Sequence, residues 1–295
     1  MTALALDVGG TKMAAALVGT DGRPYDVRTI PTPESGVWDA CAALLRKVAG
    51  DATVTGIGIA SAGPVDIASG TVAPVNIAEW REGFPIVDAV GALFRSATVH
   101  LALDGAAAAL AEHRLGAGRG TLDLLGVVVS TGVGGGLIRG GRIDSGRTGN
   151  AGHIGHMAVA GGDERCGCGA VGCLETVASG SAALRWARGN GWTGATGADL
   201  AVDAELGEPT AAAALERAGV ALGQAFAAAA ALLDVDLVVV GGGFAQSGPA
   251  LWEPMTATAS AHARLSFLSE LRLTPAELGV LGTLTGAGLL AIDAV

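Results

Sequence analysis

The stretch ALALDVGGTK, residues 3–12, decides the fold of this 295-residue chain. Residues 3–6 predict a short buried strand, and residues 13–18 predict a second strand directly after the glycines. The Asp21-Gly22 pair then marks a turn into a third strand that runs through Thr29. Because the glycines open a hairpin and not a helix, neither a Walker A loop nor a dinucleotide-binding fingerprint fits this stretch.

The same arrangement returns in the middle of the chain. Residues 124–129 predict an apolar strand, and the loop STGVGGG at residues 130–136 combines Thr131 with several glycines. Residues 137–139 predict a short strand before a Gly-Gly turn at 140–141. Two copies of strand, glycine-threonine loop, strand and turn predict a duplicated α/β fold with two domains. Two related halves facing each other across a cleft would place the two loops on opposite sides of one polyphosphate.

Periodicity and turn formers divide the rest of the chain into helices and strands. Helices are predicted over residues 37–48, from Pro85, and over 106–115, 174–188, 210–233 and 287–292; strands are predicted over 54–60, 97–103 and 237–240. Gly219 or Gly223 is where the helix over 210–233 could break. Residues 1–115 are expected to form a smaller N-terminal domain and residues 116–283 a larger one. A C-terminal helix, over about residues 284–295, is expected to pack back on the first domain.

Composition and charge exclude several classes of protein. The formal net charge is −10 and the basic residues form no cluster, so the chain lacks the electrostatic footprint of a nucleic-acid binder. The apolar run at residues 225–233 is too short to span a bilayer. The start MTALALDVGG has neither the basic segment nor the cleavage site of a signal peptide. We therefore expect a cytoplasmic protein with no nucleic-acid or membrane partner.

A cysteine-rich segment, HMAVAGGDERCGCGAVGCLE at residues 156–175, holds all but one of the cysteines in the chain. Three thiolates and one imidazole form a complete tetrahedral ligand set for zinc, namely His156, Cys166, Cys168 and Cys173. Glycines at 167, 169 and 172 let the backbone curl so that the sulfurs point inward. The alternative is a disulfide with a spare thiol, although the cysteines of a Cys-x-Cys pair are poorly placed for one. We predict a structural zinc ion that fixes a loop.

Three glycine clusters are suited to a phosphorylated ligand. In the loop Gly9-Gly10-Thr11-Lys12, bare amides approach phosphate oxygens closely, and a hydroxyl and an ammonium group add further donors. The loop around Thr131 offers a second site of the same kind. Residues 241–243 follow a buried strand and would let a flat ring lie against backbone. Each cluster taken alone could equally be a structural bend or a helix-entry turn.

Asp104 stands where a predicted strand meets a predicted helix. An aspartate at such a junction is either an N-cap or a general base that takes a proton from an alcohol attacking a phosphate. In both roles the start of the helix is expected to keep the carboxylate ionised.

A second polar cluster is predicted around the cysteine-rich segment. His153 and His156 lie near a glycine-rich turn, and Glu175 follows the last cysteine closely. If zinc fixes this loop, several donors and acceptors are held together, and such a cluster can discriminate the hydroxyl groups of a sugar-like ligand. The alternative for Glu175 is a solvated acid at a helix N-terminus.

Taken in order, these motifs resemble the signature of the ROK family of sugar kinases and sugar-responsive repressors. The resemblance covers essentially the whole chain, through ALDVGGTK, GIASAGPVD, Asn76, the Asp104 segment, STGVGGGLIRGG, AGHIGHM with CGCGAVGCLETVASG, and VVVGGG. It implies an actin-like ATPase fold, related to ribonuclease H, with a cleft between two α/β domains. It also implies a homodimer or homotetramer.

The resemblance implies roles for single residues as well. ATP phosphates are expected at Gly9, Gly10, Thr11, Lys12, Thr131, Gly132 and Gly134, and the adenosine beside Gly242. Asp104 is the expected catalytic base, and the three cysteines with His156 are the expected zinc ligands. Asn76, His156 and Glu175 are expected to line a sugar pocket. Mg²⁺ would arrive with ATP, held through water and carboxylates such as Asp7.

Three positions depart from the usual pattern of the family. His153 replaces a glutamate, Leu103 replaces an asparagine, and Ala106 replaces an amide side chain. Neutral His153 offers one donor and one acceptor, whereas an ionised glutamate offers only acceptors, and a small residue at 106 would leave space near the sugar. The expected reaction is therefore phosphorylation of the 6-hydroxyl of N-acetylmannosamine, with His153 among the residues that bind it.

Other functions remain open at this point. The enzymatic alternative is a glucokinase or another hexose kinase, and the non-enzymatic alternative, motivated by Leu103 and Ala106, is a catalytically weakened sugar sensor. A repressor is not expected, because its DNA-binding helix-turn-helix would have to precede a strand that begins at residue 3.

Overall fold

A computed structural model describes residues 2–292 as a mixed α/β protein with two five-stranded sheets. The strands before the catalytic aspartate candidate are β1 (Thr2–Val8), β2 (Lys12–Val18), β3 (Pro24–Pro31), β4 (Val54–Ser61), β5 (Val65–Asp66), β6 (Thr71–Val72) and β7 (Thr98–Leu103). β5 and β6 form a two-stranded ribbon. The other five form the first sheet in the order β3-β2-β1-β4-β7, antiparallel up to β1 and parallel from β1 onward.

The second sheet repeats this plan. Its strands are β8 (Leu124–Val129), β9 (Val133–Arg139), β10 (Arg142–Asp144), β11 (Leu237–Gly241) and β12 (Arg272–Pro275), in the order β10-β9-β8-β11-β12. β10 runs antiparallel to β9, and β11 runs parallel to β8 and β12. Numbered by their order in the chain, the strands of the second sheet lie side by side in the same sequence as those of the first sheet. The predicted duplicated α/β fold is confirmed.

The helices connect and cover these strands. Their bounds are α1 (Val37–Ala49), α2 (Ile86–Leu93), α3 (Asp104–Leu115), α4 (Leu174–Ala178), α5 (Gly180–Gly189), α6 (Gly197–Glu205), α7 (Pro209–Leu233), α8 (Pro249–His262) and α9 (Gly282–Ile292). Within residues 2–292, no helix combines the length and the apolar character needed to cross a membrane. The last three residues of the predicted C-terminal helix, 293–295, lie outside the described part of the chain.

Alternating side chains in the opening stretch give the first sheet two different faces, since neighbouring residues of a strand point to opposite sides. Leu4 and Leu6 of β1 pack in a large apolar cluster with α1 and α2. Ala3 and Ala5 point the other way, into a cluster of small side chains with α9. On that second face the backbones approach closely, because a Cβ added at Gly58 of β4 would overlap the carbonyl oxygen of Ala287.

Two predicted helices differ from the structure. The helix predicted over residues 174–188 is two helices, because Ser179 adopts an extended conformation and its side chain caps α5 by accepting a hydrogen bond from Ala182 N. The helix predicted over 210–233 is continuous in α7, so its glycines do not break it. Side chains at Gly219 and Gly223 would collide with the carbonyl oxygens of Leu251 and Met255. These glycines therefore allow α8 to pack close against α7.

Smaller differences concern the ends of elements. β9 begins at Val133, so Gly134–Gly136 lie in a strand and the second glycine loop is only Ser130–Gly132. Gly136 is required there, because a side chain would overlap the backbone of Ala106. α9 begins at Gly282, before the predicted start at residue 287.

The described residues divide into two compact units. The first takes in the chain up to Leu115, Gly136–Gly152, and the chain from Leu281 onward. The second consists of Gly116–Gly135 and His153–Val280. The domain limits expected from the sequence stay a prediction.

Candidate active site and metal centre

The first glycine loop, Gly9–Lys12, is a closed turn between β1 and β2. Gly9 N donates to the carbonyl of Lys12 at 3.0 Å. Thr32, just after β3, holds the loop from the side: its hydroxyl donates to Gly9 O at 2.7 Å and its backbone N donates to Thr11 O at 3.0 Å. The side chains of Thr11 and Lys12 are exposed. A hydroxyl and an ammonium group therefore stand free to meet an anion.

Asn76 lies directly against this loop, since a Cβ at Gly10 would overlap its side chain. Glu79 and Trp80 anchor the segment that carries Asn76. The Glu79 carboxylate accepts hydrogen bonds from Gly36 N at 2.6 Å and Val37 N at 3.1 Å, where α1 begins, and the neighbouring Trp80 is buried. The structure thus brings a residue predicted for sugar binding next to a loop predicted for phosphate binding.

Asp7 and Asp104 lie at the same edge of the first sheet, because β1 and β7 are both parallel to β4 and end there. Burial raises the pKa of Asp7 to about 7; the charge of Asp104 raises it further and Lys12 opposes the rise. Burial also raises the pKa of Asp104 to about 6, opposed by a 2.6 Å hydrogen bond from Gly105 N. The helix start was expected to keep Asp104 ionised; burial acts against this, but a pKa of about 6 still leaves the carboxylate mostly ionised at neutral pH. A carboxyl group with a pKa near 6 is well matched to a general base.

Leu103 and Ala106 are both buried in the apolar core of the first unit. The structure therefore gives both side chains a packing role. Space for a sugar substituent near Ala106, which the small side chain suggested, stays a prediction.

The second glycine loop, Ser130–Gly132, is held by residues of the cysteine-rich region. Ser130 N donates to Gly132 O at 2.9 Å and closes the turn. Gly180 N, at the start of α5, donates to Ser130 O at 2.8 Å. Glu175 of α4 accepts a hydrogen bond at Oε2 from Val133 N at 2.9 Å. Glu175 is therefore engaged with the loop and is not the freely solvated acid of the alternative interpretation.

A cavity of about 780 Å³ opens beside this loop within the second unit. Ser130 and Thr131 line one part of it, and Gly243, Phe244 and residues 246–250 line another. The preceding Gly242 has a φ of +93°, and a side chain there would overlap the carbonyl of Val129. Thr131 of the second glycine loop and Gly243 of the predicted adenosine-side glycines thus line one concave site of a size common for small ligands.

The four predicted zinc ligands come together. One ligand atom of each residue, His156, Cys166, Cys168 and Cys173, lies within 4.8 Å of the others. His156 Nδ1 is 3.8 Å from Cys166 Sγ, and Cys168 Sγ is 3.7 Å from Cys173 Sγ. A tetrahedral zinc ion with Zn–S bonds of about 2.3 Å separates its sulfur ligands by about 3.8 Å. All four cysteines of the chain are free thiols, so the disulfide alternative is not observed. The residues fit a structural zinc ion.

Backbone turns shape this centre, as the glycines predicted. Gly169 and Gly172 have φ angles of +93° and +79°, which favour glycine strongly. Cys166 N donates to Ala170 O at 2.8 Å, and Gly169 N donates to Cys166 O at 2.9 Å. A backbone hydrogen bond from Ala170 lowers the pKa of the exposed Cys168 thiol, whereas burial raises the pKa of Cys173 to about 12. Without a metal, Cys168 would therefore lose its proton at a lower pH than Cys173.

His153 lies beside the metal centre without belonging to it. Its ring centroid is 5.6 Å from that of His156. Burial lowers its pKa, the neighbouring His156 lowers it further, and Glu175 raises it. Among residues 2–292, its buried Nε2 has no hydrogen-bond partner. The structure brings His153, His156 and Glu175 together, as the sequence predicted.

Sequence reasoning missed the residues that support the two loops. Thr32 and Gly180 hold the first and second loop, and Glu79 anchors the Asn76 segment. Thr32 stands between two prolines at positions 31 and 33, which is a weak signal for a rigid position. Gly180 follows Ser179, and a serine is a common helix N-cap, so this residue is a signal that could have indicated the start of α5.

The shared strand order of the two sheets, each opened by a hairpin with a glycine loop, defines the actin-like ATPase class of folds. Within that class the chain belongs to the ROK family, whose family model matches residues 3–294. The resemblance seen in the sequence motifs is confirmed.

Named relatives extend this assignment. The chain is 37% identical over 276 residues to the N-acetylmannosamine kinase of Escherichia coli O157:H7, covering 91% of this chain and 93% of that protein. It resembles the structure of a ROK family glucokinase from Streptomyces griseus in complex with glucose and AMPPNP, with a TM-score of 0.86, 31% identity and 99% of each chain covered. A ROK hexokinase from Thermus thermophilus gives a TM-score of 0.85 at 34% identity, covering 99% of this chain and 98% of that one.

Proposed function

We propose that this protein is an ATP-dependent kinase that phosphorylates the 6-hydroxyl of N-acetylmannosamine. The observation that carries the proposal is the 37% identity over 91% of the chain to a protein named N-acetylmannosamine kinase. The structural likeness to a glucokinase with glucose and AMPPNP supports the same reaction class.

The chemical step is assigned to Asp104. In its ionised form it takes the proton of the sugar hydroxyl while that oxygen attacks the γ-phosphorus of ATP and ADP leaves. The raised pKa of about 6 supports this role, because the carboxylate is mostly ionised at neutral pH and still basic enough to accept a proton. Asp7 is assigned to Mg²⁺ through water, and the ion would spread the charge of the phosphates.

The nucleotide is assigned to the glycine loops. Phosphates would meet Gly9, Gly10, Thr11, Lys12, Thr131, Gly132 and Gly134, and the adenosine would lie by Gly242. The exposed side chains of Thr11 and Lys12 and the cavity beside Thr131 support these assignments.

The sugar is assigned to Asn76, His153, His156 and Glu175. The unpartnered Nε2 of His153 supports this, because a buried polar atom gains most from a ligand that hydrogen-bonds to it. We assign zinc a structural role at His156 and the three cysteines, where a closed set leaves no position for substrate. His156 would therefore contact the sugar only with atoms that are not bound to the metal.

The proposal also covers the domains, the oligomeric state and the location of the protein. We propose two domains over residues 1–115 and 116–283, with the C-terminal helix belonging to the first. We also propose a cytoplasmic homodimer or homotetramer whose small-molecule partners are ATP and the sugar, as the family likeness suggests.

The test is an ATP-consumption assay across a panel of hexoses and N-acetylhexosamines. We expect the highest kcat/KM for N-acetylmannosamine, with glucose-6-phosphate formed more slowly from glucose. A higher kcat/KM for glucose would replace the proposal with a glucokinase. Sugar binding without phosphate transfer to any member of the panel would instead identify a sugar sensor.

A further inference from the structure

Three residues in or close to the cysteine-rich segment contact the second glycine loop, and we call them the clasp: Gly155, Glu175 and Gly180. Glu175 Oε2 accepts from Val133 N at 2.9 Å, and a side chain at Gly132 would overlap the same oxygen. A side chain at Gly155 would overlap the carbonyl of Val133. Gly180 N donates to Ser130 O at 2.8 Å. Both ends of the loop Ser130–Gly132 are therefore fixed from outside its own sheet.

The clasp is continuous with the zinc ligands. Gly155 directly precedes His156, and Glu175 stands two residues after Cys173, which is the residue at the N-cap of α4. The hydroxyl and the backbone N of Thr176 donate to Cys173 O at 2.7 Å and 2.9 Å. Leu174 N donates to Met157 O at 2.7 Å, so the two ligand-bearing segments are tied together beside the clasp. Displacement of Cys173 or His156 would thus be transmitted directly to Glu175 and Gly155.

We infer that zinc binding sets the conformation of the second glycine loop through the clasp, and that Glu175 is a positioning residue for ATP phosphates in addition to its assigned contact with sugar. The inference rests on the proposed function insofar as the loop binds ATP. It assigns the metal a task at the nucleotide, where the sequence had suggested a task at the sugar alone.

The physical reason is the kind of bond at Val133. A carboxylate that accepts from a backbone N–H forms a charge-assisted hydrogen bond, stronger than one between neutral groups. The loop has no side chain at Gly132 to stabilise it by packing, and the only backbone bond that closes it internally joins Ser130 and Gly132 among the described residues. Loss of the Glu175 bond should therefore release the amides that face a phosphate.

The experiment uses the full-length protein without sugar and measures two quantities. One is hydrogen exchange of the Val133 amide; the other is the affinity for AMPPNP, with adenosine as the probe of the nucleoside part. The samples are zinc-loaded wild type, zinc-stripped wild type, Glu175→Ala, Glu175→Gln and Glu164→Ala. Glu164 is the matched control, because it is an acid of the same segment whose carboxylate pairs with exposed Arg185 at 2.7 Å.

For Glu175→Ala and for the zinc-stripped protein, we expect Val133 exchange at least about tenfold faster and AMPPNP affinity about tenfold weaker, the effect of one charge-assisted bond. Adenosine affinity should change little. Glu175→Gln keeps an acceptor oxygen and should recover part of both losses, while Glu164→Ala should match wild type.

Unchanged Val133 exchange and AMPPNP affinity in folded, zinc-containing Glu175→Ala would overturn the inference, as would a zinc-stripped protein that keeps both. If Glu175→Ala fails to fold, Glu175→Gln and the stripped wild type decide the same question. If the wild type does not bind AMPPNP, the proposed function fails, whereas Val133 exchange still tests the link between zinc and the loop.

Discussion

The two glycine loops have the same place in their sheets but are stabilised in different ways. The loop Gly9–Lys12 is held by Thr32, which follows the neighbouring strand of the same hairpin system. The loop Ser130–Gly132 is held by Glu175 and Gly180, which belong to helices after the metal centre. Duplicated architecture therefore does not imply duplicated support.

The charges differ as well. Beside the first loop lie two carboxyl groups with raised pKa values, Asp7 and Asp104, and one exposed ammonium group, Lys12. Beside the second loop lies a carboxylate already engaged with backbone, next to a metal-binding set. In the proposed mechanism the first loop adjoins the carboxyl group that would take the proton. The further inference makes the geometry of the second loop depend on the metal centre instead.

The largest expected effect comes from a substitution beside the first loop, at the proposed catalytic base. Asp104→Asn should lower kcat by about 10²–10⁴, because the amide cannot accept the hydroxyl proton, while AMPPNP affinity and zinc content stay near wild type. Steady-state kinetics with nucleotide titration measure this. Asp88→Asn, an exposed aspartate of α2, is the control and should be fully active. Activity within a few-fold of wild type for Asp104→Asn would leave Asp104 as a helix residue only.

Next in size is the metal side. Cys168→Ser should lose the bound zinc, about one ion per chain in the wild type, together with at least about tenfold in sugar affinity. Cys168 is exposed, so the substitution removes a ligand with little loss of packing. Metal analysis and sugar titration measure the result, and Cys41→Ala, at the buried cysteine outside the cluster, should keep its zinc. A zinc-free protein with full sugar affinity and activity would contradict the assignment.

The choice of sugar provides a third test, which concerns only the region around the metal centre. His153→Glu should shift the ratio of kcat/KM for N-acetylmannosamine over glucose toward glucose by about 10- to 100-fold, the effect of one or two hydrogen bonds. The new carboxylate would also lie near Glu175, whose charge already acts on position 153. His153→Gln keeps a donor and an acceptor and should change the ratio less. An unchanged ratio in His153→Glu would remove His153 from the sugar site.

The pH dependence tests the proton-moving side. A base must be ionised to act, so kcat/KM should fall as the pH drops through its pKa, and a pKa of about 6 places this limb near pH 6. Between pH 8 and pH 5 we expect about a tenfold fall from Asp104 alone, and a steeper fall if Asp7, whose pKa is about 7, must also be ionised. A limb near pH 4, the ordinary value for an aspartate, would show that burial does not raise the pKa in solution.

The smallest expected effect concerns the support of the first loop. Thr32→Val removes the hydroxyl that donates to Gly9 O and should lower the free energy of unfolding by about 1 kcal/mol. Zinc content and Val133 exchange should not change, since the second loop has its own support. Urea unfolding with metal analysis checks both points. A loss of zinc in Thr32→Val would mean that the two loops are not supported independently.

Much of the fold was readable from the sequence because it depends on local patterns. The apolar residues 3–6 predicted a buried strand, which the structure shows within β1, and β8 was predicted with its observed bounds. The zinc ligands were readable because all four lie within a short segment whose glycines allow only a few turns.

The rest depends on contacts between distant segments. Gly219 and Gly223 look like helix breakers, yet they are the points where another helix comes close. The helices α6 and α8 were not predicted from the sequence. α8 has Pro254 inside it and lacks a regular apolar face, and α6 is short, although its capping box at Thr196 and Asp199 is a signal that could have indicated it. The bond from Val133 to Glu175 spans 42 positions, and no local pattern announces such a pair.

The close packing of α9 on the first sheet has a consequence for synthesis on the ribosome. The face of this sheet that carries Ala3 and Ala5 is covered by Leu284 and Ala287, which are translated long after β1. α9 packs so closely on this face that even a Cβ at Gly58 of β4 would overlap the carbonyl oxygen of Ala287. The first sheet therefore cannot close its core on this face until α9 has been translated. Its core is completed only after the whole of the second unit has been made.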